Sequence, residues 1–244
     1  MSQTGLHVVV VGHGSTKRPD AAVSTNNICR KLFDSNRFDA VHCAFMKQEL
    51  KVADLFSSLP SGIDLEVVPH FAAAGAFVED RLAGFLKGEA SRFRKTRMHQ
   101  PLGLHPGIAR HLILQVRKYK INDVIIAAHG STVSKGPART AQKLCDQLAE
   151  NGIRAQVLFL SNAPHLDEWR DLDLGHKVMV CPIFAGKGTH LCEDVPNAFD
   201  LPDTPHSGIP YIIEGRQFFF EYPLLDDQLL AEISLEQLSP TQPL

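Results

Sequence analysis

The chain has 244 residues, 44% hydrophobic and 21% charged, which is enough apolar material to bury a substantial core in one large domain or two ordinary ones. With 25 basic against 27 acidic residues the formal charge is -2, which offers no electrostatic footprint for nucleic acid or an anionic membrane surface. No apolar run approaches the ~20 residues needed to span a bilayer, the five cysteines (Cys29, Cys43, Cys145, Cys181, Cys192) hold no C-x-x-C pair, and the N-terminus has no signal-peptide layout, so the expected compartment is the cytoplasm.

The first element is "HVVVV" (7–11), short, β-branched and apolar throughout, as in a strand covered on both faces of a parallel sheet. After "GHGST", residues 19–34 place Ala22, Thr25, Ile28, Cys29 and Leu32 at helical spacing. Strands are predicted at "AVHCAFM" (40–46) and "LEVVPHF" (65–71). "DVIIAA" (123–128) then repeats the first strand, His-Gly-Ser-Thr follows it again, and residues 137–150 set Ala138, Ala141, Leu144, Cys145 and Leu148 at helical spacing. Further strands are predicted at "AQVLFL" (155–160) and "KVMVCPIF" (177–184), and "LEQLSPTQPL" (235–244) reads as a loose tail.

The recurrence extends beyond one tetrapeptide. "VVPHFAAAGAFVED" (67–80) parallels "VCPIFAGKGTHLCED" (180–194), pairing Pro69 with Pro182, Phe71 with Phe184 and Gly75 with Gly188; "GLHPGIARHL" (103–112) parallels "FEYPLLDDQL" (220–229). Landmarks in one order at a nearly constant offset imply duplication. The expected fold is α/β, with two similar doubly wound parallel-sheet halves, 1–120 and 121–244, joined near "KYKIND" and leaving a cleft between them.

In open α/β sheets, ligands bind outside the carboxyl ends of the strands, where both His-Gly-Ser-Thr copies fall. His129 follows one such strand, and His190, in the glycine-rich "GKGTHLCED" (186–194), follows another. Two histidines from two strand ends of one sheet can converge on a divalent metal and accept protons at neutral pH. In the first half His13 is present, but Phe77 stands where His190 would be and cannot ligate a metal. One site is therefore expected, in the C-terminal half.

A strand followed by HGS, and a later strand followed by G-x-H-x-x-x-D-[IV]-P, here "GTHLCEDVP" (188–196), resemble the sirohydrochlorin chelatase family of the CbiX and SirB type; "PLGLHPGI" (101–108) is similar to its L-G-x-H-P segment. The resemblance implies a chelatase-like fold and insertion of Co²⁺, Fe²⁺ or Ni²⁺, as substrate, into a tetrapyrrole for cobalamin or sirohaem, with His129 and His190 as metal ligands and proton acceptors. Ser131, Lys135, Lys187 and Gly188 beside the two motifs are then the expected substrate contacts, with Arg139 as a further cation. No organic cofactor, nucleic acid or membrane partner is implied, and a monomer with internal pseudo-symmetry is expected. The chain departs from the family pattern at Ser161, where a glutamate is frequent; Glu193 or Asp194 could stand in for it.

Among the remaining candidates, His70, His105 and His165 lie near element ends, His70 with a packing role expected; Cys192 is a weaker ligand candidate and Trp169 is expected in the core. An Arg-His-Gly phosphatase signature is absent, since Gly12 precedes His13 and Ala128 precedes His129. The alternative function is a non-catalytic tetrapyrrole or metal carrier on the same fold.

Overall fold

A computed structural model describes residues 5–16, 19–130, 135–184 and 190–239. Its elements run β1 (Leu6–Gly12), α1 (Val23–Asp34), β2 (Ala40–Phe45), α2 (Val52–Ser58), β3 (Asp64–His70), α3 (Ala83–Glu89), β4 (Lys95–Met98), α4 (Pro106–Tyr119) and β5 (Asp123–Ala128). They continue through α5 (Gly136–Ala149), β6 (Arg154–Phe159), β7 (Lys177–Pro182), α6 (Val195–Ala198), β8 (Pro210–Ile213), β9 (Arg216–Phe220) and α7 (Asp227–Gln237). Among the described residues no helix is long and apolar enough to cross a membrane.

The strands form two sheets of one topology. The first has the order β2-β1-β3-β4, all parallel; the second has β6-β5-β7-β9, with β8 added antiparallel at the edge. In both, the first strand in sequence is an inner one, paired on either side, which is why Val8, Val9, Val10 and Val11, like every residue of β5, are buried. Strand order reverses at β1/β3 and at β5/β7, so each sheet has its switch point where its two innermost strands end.

Three strands escape the apolar-run criterion. β4, "KTRM", alternates between exposed and half-buried positions along a sheet edge, and β8, "PYII", does the same at the opposite kind of edge. β9, "RQFFF", buries its three phenylalanines but opens with half-buried Arg216 and Gln217, and Gly215 at φ 77° sits in the tight turn that joins it to β8. The structure also pairs Cys29 of α1 with Cys43 of β2 in a disulfide that no spacing motif announces.

The compact units differ from the halves expected from the repeat. One contains the described residues up to Leu102 together with those from Asp227 onward; the other is Gly103–Asp226. The helix that closes each repeat packs on the first helix of the other: α4 against α5, with Ile108, Ala109, Leu112 and Val116 buried, and α7 against α1, with Leu230, Ala231 and Ile233 buried. The latter contact is pinned by Asp227, which accepts from Ser24 Oγ at 2.5 Å and Asn27 Nδ2 at 2.6 Å. This overturns the loose-tail expectation for 235–239: Leu235–Gln237 are helical, Leu238 is buried and Arg37 donates to the Leu235 carbonyl, while 240–244 lie outside the described residues.

Each unit has its own apolar core. In the second, Trp169 is fully buried in the 3₁₀ turn Leu166–Asp171, stacked on Phe199 with 5.3 Å between ring centroids, and its Nε1 donates to the Ala198 carbonyl at 2.9 Å. That is the core role expected of it. Asp123, buried at the start of β5, is held by the Arg154 guanidinium and by the Gly175 amide.

Candidate functional site

His129 leaves the end of β5 at the switch point of the second sheet, one residue before Gly130, whose φ of 73° turns the chain away from the strand. A side chain at Gly130 would be strained by that φ and would run into Asn162 Oδ1. The turn bends the His129 ring back so that Nδ1 lies 2.9 Å from the Gly130 carbonyl oxygen. Ser161, just past β6, adds two contacts: its amide donates to the His129 carbonyl at 3.0 Å and its hydroxyl lies 3.1 Å from Nδ1. Ser161 thus orients the imidazole rather than taking a proton as a carboxylate would.

His190 comes from the neighbouring strand β7 and opens the π-helical turn His190–Asp194. The turn brings Asp194 Oδ2 to 2.6 Å from His190 Nδ1. Carbonyl and carboxylate oxygens only accept, so in both rings Nδ1 carries the hydrogen and a neutral imidazole keeps its lone pair on Nε2. Among the described residues neither Nε2 has a hydrogen-bond partner.

The two rings meet. Their centroids are 4.6 Å apart with planes at 83°, and Phe184 lies 6.1 Å from the His190 ring. Among the described residues no three His, Cys, Asp or Glu side chains converge as a ligand group, so Cys192 does not complete a three-ligand set. Two imidazoles with an orienting carboxylate make a sparse donor set, suited to a divalent ion that is exchanged rather than trapped.

The first repeat builds the same frame with other chemistry. His13 Nδ1 lies 2.8 Å from the Gly14 carbonyl, and the Lys47 amide donates to the His13 carbonyl at 3.0 Å, as Ser161 does to His129. Phe77 opens the π-helical turn Phe77–Leu82 and lies edge-to-face on His13 at 4.7 Å and 81°, in the place His190 holds in the second repeat.

At the carboxyl end of β6, a groove of about 440 Å³ is lined by Lys135, which precedes α5, by Arg139 and Gln142 of α5, and by Val157, Phe159 and Pro164. It brings Lys135, a residue singled out from sequence, together with a second cation and an apolar wall. Ser131, Lys187 and Gly188 lie outside the described residues. His70 is buried against Thr25, with 2.9 Å from Nδ1 to Oγ1, and His105 caps α4 by accepting from the Gly107 amide; both serve the fold. His165 is exposed at the start of its 3₁₀ turn.

The partner least legible beforehand is Asp194. In sequence it is one of two adjacent acids at a helix start, and the signal that separates it from Glu193 is its four-residue spacing from His190.

Comparison with known proteins matches the family model described as CbiX twice, at residues 7–119 and 123–241. A curated protein of Halobacterium salinarum, described as a probable sirohydrochlorin cobaltochelatase, is 25% identical over 263 residues, covering 94% of this chain and 89% of its own length. Among solved structures, a multi-domain Deinococcus radiodurans protein with structural similarity to chelatases superposes with a TM-score of 0.74 at 19% identity. The match covers 98% of this chain but 56% of that one, which carries two additional domains. The sirohydrochlorin chelatase SirB of Bacillus subtilis, solved in complex with cobalt, gives 0.67 at 12% identity, covering 96% of this chain and 93% of its own.

Proposed function

The chain belongs to the CbiX family, and on that footing we propose that it is a sirohydrochlorin chelatase, inserting a divalent metal into the tetrapyrrole with His129 and His190 as the metal-handling pair. The observation that carries this reading is the edge-to-face pair of imidazoles 4.6 Å apart, each with Nδ1 engaged. Support also comes from the Halobacterium salinarum relative.

Insertion replaces two pyrrole N–H protons by one dication, so the site must hold its metal loosely and take up protons as the metal leaves. A neutral imidazole does both with one atom: Nε2 binds the ion before transfer and a proton after it. The Gly130 carbonyl and Asp194 keep the hydrogens on Nδ1, and Ser161 helps hold the His129 ring in place. Lys135 and Arg139 present cations beside the apolar wall of Val157, Phe159 and Pro164, a combination suited to one edge of a macrocycle bearing carboxylate arms. Ser131, Lys187 and Gly188 are assigned to substrate contacts with them. Co²⁺, Fe²⁺ and Ni²⁺ are the candidate substrate metals, no organic cofactor takes part, and one chain suffices because the duplication supplies both units.

The test is incubation with sirohydrochlorin and Co²⁺ or Fe²⁺, following the absorbance change on metallation. Wild type should turn over, and His190→Ala should abolish insertion while leaving the thermal unfolding midpoint unchanged. Insertion by that variant at the wild-type rate would overturn the assignment. Stoichiometric binding without turnover in the wild type would assign a carrier role instead.

A further inference from the structure

Around Phe77 the first repeat keeps His13 and the acids Glu79 and Asp80 of the π-helical turn, but it has a phenylalanine in the place of His190 and brings two cations to that ring. Arg81 lies four residues after Phe77 in the π-helical turn, as Asp194 lies four residues after His190. Lys47 bonds to the backbone of His13 where Ser161 bonds to that of His129. Both cations reach the one ring: Lys47 Nζ is 5.1 Å and the Arg81 guanidinium carbon 5.0 Å from the Phe77 centroid. Among the described residues neither is paired with a carboxylate. Burial, and secondarily the Lys47 charge, push the His13 imidazole below its ordinary pKa against the opposing Gly14 hydrogen bond.

We propose that this position is a carboxylate-binding site, formed by Lys47 and Arg81 about the ring of Phe77, rather than a second metal site. Two unpaired cations held on one aromatic ring repel a dication and offer charge-assisted hydrogen bonds to an anion, the guanidinium in bidentate form. The Phe77 ring that both cations approach supplies apolar contact for the carbon attached to the carboxylate. That the carboxylate belongs to the tetrapyrrole substrate rests on the function proposed above; that the site takes a carboxylate does not.

The experiment has two arms on the full chain. In the first, citrate is titrated while the His13 ring resonances are followed by NMR. Saturable shifts are expected in wild type and in K47R, with the dissociation constant raised at least about tenfold in K47A/R81A. In the second, metal-free sirohydrochlorin is titrated against the same proteins. Weakening of both ligands in K47A/R81A supports the site and identifies the tetrapyrrole as the carboxylate source; weakening of citrate alone supports the site with a free carboxylate as its ligand. Unchanged citrate binding in K47A/R81A, or no shift of His13 in wild type, overturns the proposal. A wild type that binds citrate at this site but does not bind sirohydrochlorin would instead count against the proposed function.

Discussion

Replacing Asp194 by asparagine preserves the shape of the His190 partner and removes its charge. The carboxylate lies 2.6 Å from Nδ1 and fixes both the orientation of the ring and the place of its hydrogen. Loss of such an outer partner costs roughly 10–100-fold in metal affinity, about 1.4–2.7 kcal/mol. Here the two side chains are 48% and 42% exposed, so water replaces part of what is lost and the low end applies. D194N should therefore weaken Co²⁺ binding about tenfold. An amide can also turn its NH₂ toward Nδ1, which moves the ring hydrogen to Nε2 and withdraws the lone pair from the metal. D194N should accordingly bind no better than D194A, a ranking that a space-filling role would reverse. Isothermal calorimetry with Co²⁺, alongside the metallation assay, measures both quantities. Wild-type affinity in D194N, or clearly tighter binding in D194N than in D194A, would refute the orienting role.

Two further outcomes follow from other parts of the molecule. Burial pushes the His70 pKa from 6.5 down to about 4, so the fold holds this ring neutral while the unfolded chain protonates it at its ordinary value. Its contribution to stability is complete above about pH 6.5 and falls by roughly 3 kcal/mol as the pH drops to about 4. Urea unfolding at pH 7 and pH 4.5 should show wild type losing more stability than H70Q, and equal losses would contradict the assignment. In the first repeat, F77H would set a second imidazole beside His13, yet Arg81 and Lys47 each oppose a dication by roughly 2 kcal/mol at about 5 Å in water-like dielectric. Calorimetry should give no additional Co²⁺ equivalent in F77H and one more in F77H/R81D/K47S; an extra ion bound by F77H alone would rule this out.

Much of the architecture is carried by patterns that act locally. A run such as "HVVVV" is stable only where both faces are covered, and His-Gly at its end lets the chain turn sharply at the strand's carboxyl edge, so β1, β5 and the placement of His13 and His129 can be read residue by residue. Duplication then carries β2, β3, β6 and β7 with it, and the substitution of Phe77 for His190 identifies the half with two imidazoles. β4 and β8 are legible only once the sheet exists, because an edge strand with one solvated face needs no apolar run.

The amino-acid sequence by itself determined the two α/β repeats and the pair of histidines, since periodicity, strand-end glycine and residue type are properties of short segments. Tertiary structure alone decided that α4 and α7 each pack with the opposite repeat and that Lys47 joins Arg81 on Phe77. Those outcomes depend on which faces and loops find each other across the chain, which no local run of residues encodes, whereas the contact of Asp194 with His190 needs only the four-residue spacing within one π-helical turn.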